Sequence, residues 1–287
     1  MRYLYYPGCS LKGTARDYEE SLLAMAPGLG LELNEIEGWR CCGSSAARSR
    51  DLRWAQALVM RTLAGVQDQD MDILMPCSSC YANHVRLLLE VQKADVTGEL
   101  HGLRRVPRVK HLLEVLALDL GEQEIRTRVV RPLTGLRVLP YYGCLVGRPF
   151  PLGGMESREN PGALERIIQA TGAQPLSFPG RLDCCGGPLL FSHERVALRL
   201  AGEILGDSMR LAPDCMVVVC PLCHLMLDGK QGAVNREMGQ SFGLPVLYIT
   251  QLLGLALGLD PRRLAMHRLI TPPDTFLSRL GRPSHAR

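Results

Sequence analysis

Residues 71–81 read Met-Asp-Ile-Leu-Met-Pro-Cys-Ser-Ser-Cys-Tyr, and residues 214–224 read Asp-Cys-Met-Val-Val-Val-Cys-Pro-Leu-Cys-His. In each stretch a short apolar run, Met71–Met75 or Met216–Val219, has the length and composition of a buried strand. A Cys-x-x-Cys pair follows at once and opens a segment of helical spacing, predicted over Ser78–Val91 and Leu222–Met238. A strand that hands over directly to a helix is the building unit of an α/β layer fold with a largely parallel sheet. Residues at such a joint lie at the carboxyl end of a strand, where the ligand crevices of parallel sheets open. These two joints predict both a fold class and a place for chemistry.

Outward from the joints, the sequence repeats itself. Cys41, Cys42, Cys77 and Cys80 recur at one constant offset as Cys184, Cys185, Cys220 and Cys223, and Cys9 recurs at a shorter offset as Cys144. The second copy thus carries about eight extra residues, assigned to the Gly/Pro-rich stretch 148–162. Of the 11 cysteines only Cys215 stands outside the repeat. Tyr5-Tyr6-Pro7-Gly8-Cys9 answers Tyr141-Tyr142-Gly143-Cys144, and Pro107–Leu120, with His111-Leu112-Leu113, answers Pro245–Leu259, with Gln251-Leu252-Leu253. Duplication of one unit of ~140 residues accounts for all of this. The expected domains are 1–130 and 131–270, joined through the polar, Arg-rich Gly121–Gly135, with 271–287 a loose tail or docking strand.

In the first copy the pattern predicts strands at Tyr3–Tyr6, Leu31–Ile36 and Met71–Met75, and helices at Ala15–Met25, Ala46–Val66, Ser78–Val91 and Val109–Leu120. In the second it predicts strands at Val138–Tyr142, Leu176–Phe178 and Met216–Val219, and helices at Ala163–Thr171, Phe191–Leu211, Leu222–Met238 and Ile249–Leu259. Cys9, Cys77, Cys144 and Cys220 each follow a strand, while Cys41-Cys42 and Cys184-Cys185 open the loop before a long helix. The expected architecture is α/β, two tandem repeats related by a pseudo-twofold, each with a small mostly parallel sheet flanked by helices, and both cysteine sets near the interface between them.

At 287 residues, 46% hydrophobic and 22% charged, the chain has enough apolar content for two medium cores, which excludes disorder and a disulfide-stapled miniprotein. Its net charge of +4 is scattered without a basic run or interleaved aromatics, so nucleic acid is not an expected partner. The longest apolar stretch, Val246–Leu259, is short of a membrane span and carries Thr250 and Gln251. The opening Met1-Arg2-Tyr3-Leu4 runs into Pro7-Gly8 without a signal-peptide core, and a cytoplasmic location is expected. In a reducing compartment, this many cysteines point to metal ligation or thiol chemistry.

Each copy has one Cys, a gap that is longer in the second copy, Cys-Cys-Gly, a gap of equal length in both, then Cys-x-x-Cys. Adjacent cysteines and a fifth thiol suit a tetrahedral zinc site poorly, whereas a polynuclear iron–sulfur cluster has more metal positions to offer. Gly43 and Gly186-Gly187 would let backbone approach such a group. A structural zinc and a thioredoxin-like dithiol at either Cys-x-x-Cys remain alternatives. Cys220-Pro-Leu-Cys-His224 also matches a c-type haem attachment, which would require export. Cys215, ahead of an apolar strand, reads as a buried inert thiol.

With these residues in view, the doubled motif resembles the CCG cysteine-rich domain family, in particular the B subunit of heterodisulfide reductases, over residues 1 to about 260. The motifs that carry the resemblance are Tyr-Tyr-Pro-Gly-Cys-Ser at 5–10, Cys-Cys-Gly at 41–43, Pro-Cys-Ser-Ser-Cys-Tyr at 76–81, Tyr-Tyr-Gly-Cys at 141–144, Cys-Cys-Gly-Gly at 184–187 and Cys-Pro-Leu-Cys at 220–223. It implies two non-cubane [4Fe-4S] clusters, one on Cys9, Cys41, Cys42, Cys77 and Cys80, the other on Cys144, Cys184, Cys185, Cys220 and Cys223. It also implies a disulfide oxidoreductase acting on a disulfide or a related sulfur carrier. No dinucleotide fingerprint and no ferredoxin-type Cys run is present, so electrons are expected from a ferredoxin-like iron–sulfur protein of the C-subunit kind and a flavin-containing protein of the A-subunit kind. The alternative roles are an electron relay of the lactate or glycolate oxidase type and a zinc-stabilised interaction module.

Beyond the cysteines, His84 and His224 lie on the first turns after Cys-x-x-Cys, either as partly exposed helix residues or as donors towards a cluster. His193, eight residues after Cys185, is a candidate proton donor to a leaving thiolate. An anionic disulfide would call for cations at the mouth. Lys12, Arg40, Arg148 and Arg181 each lie within four residues of a candidate ligand, with Lys12 and Arg148 the favoured pair.

Overall fold

The computed structural model of the chain describes residues 1–94, 107–146 and 159–280. In the first half the order is β1 (Arg2–Tyr5), α1 (Gly8–Lys12), α2 (Arg16–Met25), β2 (Glu32–Glu35), α3 (Ser44–Arg50), α4 (Leu52–Gly65), β3 (Ile73–Met75), α5 (Ser78–Ala94), β4 (Val109–His111), α6 (Leu112–Glu114), a π-helical turn at Val115–Leu120, and α7 (Glu122–Thr127). The second half runs β5 (Arg137–Tyr141), α8 (Ala163–Ala170), β6 (Gln174–Pro175), α9 (Glu194–Met209), β7 (Cys215–Val218), α10 (Pro221–His224), a π-helical turn at Leu225–Gly229, α11 (Gln231–Met238), β8 (Val246–Tyr248), α12 (Ile249–Ala256) and α13 (Asp274–Leu277).

Each half builds one four-stranded, all-parallel sheet, ordered β2-β1-β3-β4 in the first and β6-β5-β7-β8 in the second. The central strands are buried along most of their length, as Leu4, Tyr5, Ile73 and Leu74 are in one sheet and Val138, Leu139, Met216 and Val217 in the other. That is why they read as continuous apolar runs rather than as alternation. In both sheets the chain winds to one edge, returns to the centre and proceeds to the other edge. The topological switch points therefore lie between β1 and β3 and between β5 and β7, with a crevice at the carboxyl ends of those strands.

Several elements depart from the sequence pattern, each for a local reason. The helix expected over Ala46–Val66 is two helices, because Asp51 adopts extended backbone and its carboxylate accepts the N–H groups of Arg53 and Trp54 at 2.9 and 3.2 Å, capping α4. The helix expected over Val109–Leu120 begins with strand β4. There the Leu113 N–H donates to His111 Nδ1 at 3.1 Å and the His111 N–H to Glu114 at 3.4 Å, a capping box that ends the strand and starts α6. A matching box, with the Tyr248 N–H donating to Gln251 Oε1 at 2.9 Å, stands between β8 and α12. His111 thus corresponds to Tyr248 and Glu114 to Gln251, a correction of three residues to the pairing suggested by the Leu-Leu dipeptides.

The helix expected over Leu222–Met238 breaks at Lys230, where the Gln231 amide donates to Leu227 and Leu244 carbonyls and accepts the Leu244 N–H, fixing the start of α11 against the approach to β8. Strand β6 pairs at Gln174–Pro175, ahead of the expected Leu176–Phe178, since Pro179 opens a 3₁₀ turn immediately afterwards. The polar Gly121–Gly135 is not a free linker: it contains α7 with Ile125 buried, and the N–H groups of Val130 and Arg131 both donate to Ala256. Residues 271–280 dock as a helical turn rather than a strand, with Phe276 buried and the Asp228 carboxylate accepting the Ile270 and Thr271 N–H groups at 2.8 and 3.0 Å.

The halves pack reciprocally. Helix α2 of the first lies on α12 of the second, where Tyr18 stacks on Tyr248 at 4.0 Å and Ser21 shares a 2.7 Å hydrogen bond with Thr250. In turn α8 of the second lies on α7 and the Val115–Leu120 turn of the first. Equivalent elements meet in both directions, as across a twofold interface. Among the described residues no helix is long and apolar enough to cross a membrane.

Candidate metal centre

Cys9 follows β1 and Cys77 follows β3, so both come off the strands that flank the first switch point, and Cys144 and Cys220 do the same after β5 and β7. The Cys-Cys pairs are delivered by the loops before α3 and α9. Two tyrosines fix those loops: the Tyr6 hydroxyl donates to the Arg40 carbonyl and the Tyr141 hydroxyl to the Asp183 carbonyl, both at 2.6 Å. Each carbonyl belongs to the residue just before the pair. Repetition marks these tyrosines in the sequence without giving them a role; their matched position three residues ahead of Cys9 and Cys144 is the signal that points to one.

The result is one thiol arrangement made twice. In the first set Cys41 lies 3.6 Å from Cys9, Cys42 lies 3.4 Å from Cys80, and Cys80 also contacts Cys77. In the second, Cys184 meets Cys144, while Cys223 meets both Cys185 and Cys220. Cys42, Cys77, Cys80, Cys185, Cys220 and Cys223 are buried, whereas Cys9 and Cys41 are exposed and Cys144 and Cys184 half-exposed, so both sets turn the same two ligand positions outward. The backbone is shaped around the sulfurs. Gly8 and Gly143 hold φ of +70° and +68°, and a Cβ there would stand 2.9 Å from Cys80 Sγ or 2.8 Å from Cys223 Sγ.

These thiols do not carry charge independently. Cys41 is drawn down by its neighbours Cys42 and Cys9 and by the Gly43 N–H, and Cys184 is drawn down to about 6, chiefly by Cys144 with the Gly186 N–H assisting. Cys9 and Cys144 are pushed well up by those same neighbours and by burial, as are Cys80 and Cys223 by the thiols around them. Within each set one thiol is thus favoured as thiolate over its partner, Cys41 over Cys9 and Cys184 over Cys144. Cys220 is also drawn down to about 7, chiefly by Cys223, and full deprotonation of a set calls for compensating positive charge. The donors are all sulfur, which favours soft metal centres. Among the described residues no group of three His, Cys, Asp or Glu side chains is arranged to hold a single ion. Thiols spread in pairs around a glycine-lined gap fit a larger, multi-metal sulfide group better than a lone zinc.

Residues of the first half reach the second set across the interface. Tyr18 lies within electrostatic reach of both Cys77 and Cys220. Ser78 and Ser79, from the first half, line a small cavity with Cys144, Cys185, Cys220 and Cys223 of the second, closed by Leu145, Pro188 and Leu222. Cys215 is fully buried in β7, as its place ahead of an apolar run predicts.

The remaining candidates divide. His84 is fully buried rather than partly exposed; its Nδ1 lies 2.8 Å from the Cys80 carbonyl and its ring stands edge-on to Tyr6 at 5.0 Å. His224 is also buried, with Nε2 3.0 Å from the Val246 carbonyl and its ring stacked on Tyr248. Burial holds both down to about 4, so they are neutral. Lys12 is paired with Glu19 and Glu35, each at 2.7 Å. The Arg40 side chain is exposed, and Arg181 pairs with Glu165 while its carbonyl accepts the Tyr142 and Gly143 N–H groups. His193 is exposed just before α9, 3.1 Å from the Ser192 hydroxyl. Arg148 lies outside the described residues.

Comparison with known proteins follows the same duplication. The model of the cysteine-rich domain family, CCG, matches residues 3–83 and 138–228. The 8-methylmenaquinol:fumarate reductase membrane anchor subunit of Wolinella succinogenes is 33% identical over 273 residues, covering 92% of this chain and 95% of its own. The B subunit of the ferredoxin/F(420)H(2)-dependent CoB-CoM heterodisulfide reductase of Methanosarcina acetivorans is 27% identical over 287 residues, covering 96% and 95%. A protein of Archaeoglobus profundus described as like the heterodisulfide reductase B subunit is 26% identical, covering 98% of both chains. Among solved structures, a hypothetical protein from Helicobacter pylori shares the fold with a TM-score of 0.69 at 9% identity, over 94% of this chain and 52% of that one. With both copies matched, motif for motif, the chain belongs to the CCG cysteine-rich domain family.

Proposed function

We propose that the chain is the disulfide-acting iron–sulfur subunit of a heterodisulfide-reductase-like complex, with a non-cubane [4Fe-4S] cluster on each five-cysteine set. The observation that carries this reading is the doubled thiol arrangement at the two switch points, with Ser78 and Ser79 of one half lining a cavity beside the thiols of the other. The B-subunit relatives, matched over nearly their whole length, support it. Reducing a disulfide consumes two electrons and two protons and yields two thiols, and a cluster at each set supplies electrons one at a time. The chain's own residues hold the thiolates and shield them. Leu145, Pro188 and Leu222 line the cavity beside the second set, and the accessible sides are the exposed edge at Cys9 and Cys41 in the first set and the half-exposed Cys144 and Cys184 in the second.

In this reading His193 protonates a departing thiolate, and Arg148 and Lys12 attract an anionic substrate, Lys12 by releasing one of its two carboxylates. The two halves, 1–130 and 131–270, form one cytoplasmic unit that receives electrons from a ferredoxin-like protein of the C-subunit kind and a flavoprotein of the A-subunit kind. The test is anaerobic reconstitution followed by iron and sulfide analysis and EPR, with candidate disulfides and persulfides added to the reduced protein. About four irons per set, with sulfide, and an EPR signal perturbed by one of these compounds are expected. About one zinc per set without sulfide would overturn the reading. The Wolinella relative favours a second reading, a relay from a quinol, which expects oxidation of a menaquinol analogue and indifference to every disulfide.

A further inference from the structure

The two cysteine sets share their thiol geometry, but the segments that run from each Cys-Cys pair to the end of the next long helix carry opposite charge. Residues 40–65 hold five arginines, Arg40, Arg48, Arg50, Arg53 and Arg61, against one carboxylate, Asp51. The equivalent residues 183–208 hold two arginines against four carboxylates. Asp51 is committed to the N–H groups of Arg53 and Trp54, whereas none of the five arginines is ion-paired among the described residues. Arg40, Arg50, Arg53 and Arg61 are exposed and Arg48 is half-buried. On the other side of the first pair stand Glu35, held by Lys12 and Trp39, and the exposed Glu37.

These cations stand beside the exposed edge of the first thiol set. A Cβ at Gly43, two residues past Cys41, would stand 2.8 Å from Ala47 Cβ of α3 and 3.2 Å from Leu58 Cδ1 of α4, so both helices pack directly on the Cys-Cys-Gly loop. The Arg40 N–H donates to the Thr62 hydroxyl at 3.2 Å, which sets Arg40 next to Arg61. Arg53 and Arg61 share one face of α4, with Arg50 at the corner where α3 meets it. That corner also exposes Leu52 at 43% and Trp54 at 54%, while Ala55, Val59 and Leu63 of the same helix face the core. An exposed tryptophan among unpaired arginines is the composition of the energetic centre of a protein interface. A helix lying on a lipid surface needs a continuous apolar face, and α4 gives that face to the core.

We infer that the α3–α4 face is the docking site of an acidic one-electron carrier protein, which delivers its electrons through the exposed edge at Cys9 and Cys41. Charge complementarity identifies the occupant. Unpaired cations attract and orient a carboxylate-rich surface, and the excess of carboxylates in 183–208 turns the same surface away from the second edge. At each docking one electron leaves the reduced carrier and enters the cluster of the first set; no bond forms or breaks and no proton moves. Two dockings supply the two electrons that a disulfide consumes. Electron delivery rests on the reading that the first set holds a cluster, whereas the docking itself rests on the surface alone.

The probes are two acidic carriers, a bacterial 2[4Fe-4S] ferredoxin and a flavodoxin, with cytochrome c as the basic control. Their dissociation constants are measured by calorimetric titration of the full-length reconstituted protein, in the native chain, Arg50→Glu/Arg53→Glu, Trp54→Ala and Arg195→Glu/Arg199→Glu, each checked for native thermal unfolding. The native chain should bind at least one acidic carrier, less tightly as salt is raised, and ignore cytochrome c. Arg50→Glu/Arg53→Glu should weaken that binding about tenfold or more. Trp54→Ala should weaken it about fivefold at every salt concentration. Arg195→Glu/Arg199→Glu, the same change of charge beside the second set, should bind as the native chain does. Affinity for neither acidic carrier at low salt overturns the inference, as do equal losses in the two double variants. Binding to phosphatidylglycerol vesicles that Arg50→Glu/Arg53→Glu abolishes, with no carrier bound, assigns the face to a lipid surface and also overturns it. A native protein without iron and sulfide overturns the cluster reading and the electron delivery with it, while the same titrations still decide the docking.

Discussion

At the scale of single residues, the backbone is committed to the sulfurs as firmly as the cysteines are. Gly8 holds φ of +70° with Cys80 Sγ where a Cβ would go, so Gly8→Ala meets two costs, about 1–2 kcal/mol for the left-handed conformation and a displaced sulfur. The expected outcome is loss of roughly half the bound iron, confined to the first set, and iron analysis of Gly8→Ala showing the native content would refute it. Asp17 illustrates a different constraint. Burial pushes its carboxyl up to about 6, with Asp228 nearby adding to the rise against the Tyr18 N–H and Arg268. The folded chain holds this proton more tightly than the unfolded chain does, so stability contributed by the neutral form is present below about pH 4 and lost as pH rises through about 6. Asp17→Asn should therefore raise the unfolding temperature at pH 8, by an amount equivalent to about 1–2 kcal/mol, and give no gain at pH 4. An equal gain at both pH values would contradict the assignment.

At the scale of elements, what was legible in the sequence was whatever the repeat or the hydrophobic period encodes. Met71–Met75 and Met216–Val219 reveal themselves as apolar runs, and the constant offset between the copies discloses both cysteine sets. The breaks were not legible, because they depend on side chains reaching backbone: Asp51 caps α4 in the middle of an unbroken helical period, and Gln231 ties α11 to Leu244 from a distance. Nor could the sequence show which direction Ser78 faces, since a serine between two ligands reads as part of its own set until the halves are packed. The contact of α2 with α12 depends on Tyr248, which is fully buried and stacked on both Tyr18 and His224. Tyr248→Ala should destabilise the chain by about 3–5 kcal/mol. A denaturation midpoint within about 0.5 kcal/mol of the native value would show that the stack is dispensable.

At the scale of the whole molecule, the two sheets are not beads on a string. Helices exchange contacts in both directions, the Val130 and Arg131 N–H groups are bound to the last carbonyl of α12, and the Asp228 carboxylate holds the segment leading to α13. Calorimetry of the full-length chain should accordingly show one cooperative unfolding transition, and two resolved transitions would mean that the halves unfold separately. The reciprocal packing of α2 on α12 and of α8 on the Val115–Leu120 turn has a further consequence. It is the self-complementary interface that two copies of one half would make as a symmetric dimer, and in such a dimer every substitution is written twice. Joining the copies in one chain lifts that restriction, so that position 78 can be serine while position 221 is proline, and position 111 histidine while position 248 is tyrosine. Covalent linkage gives a symmetric scaffold the freedom to become two different tools.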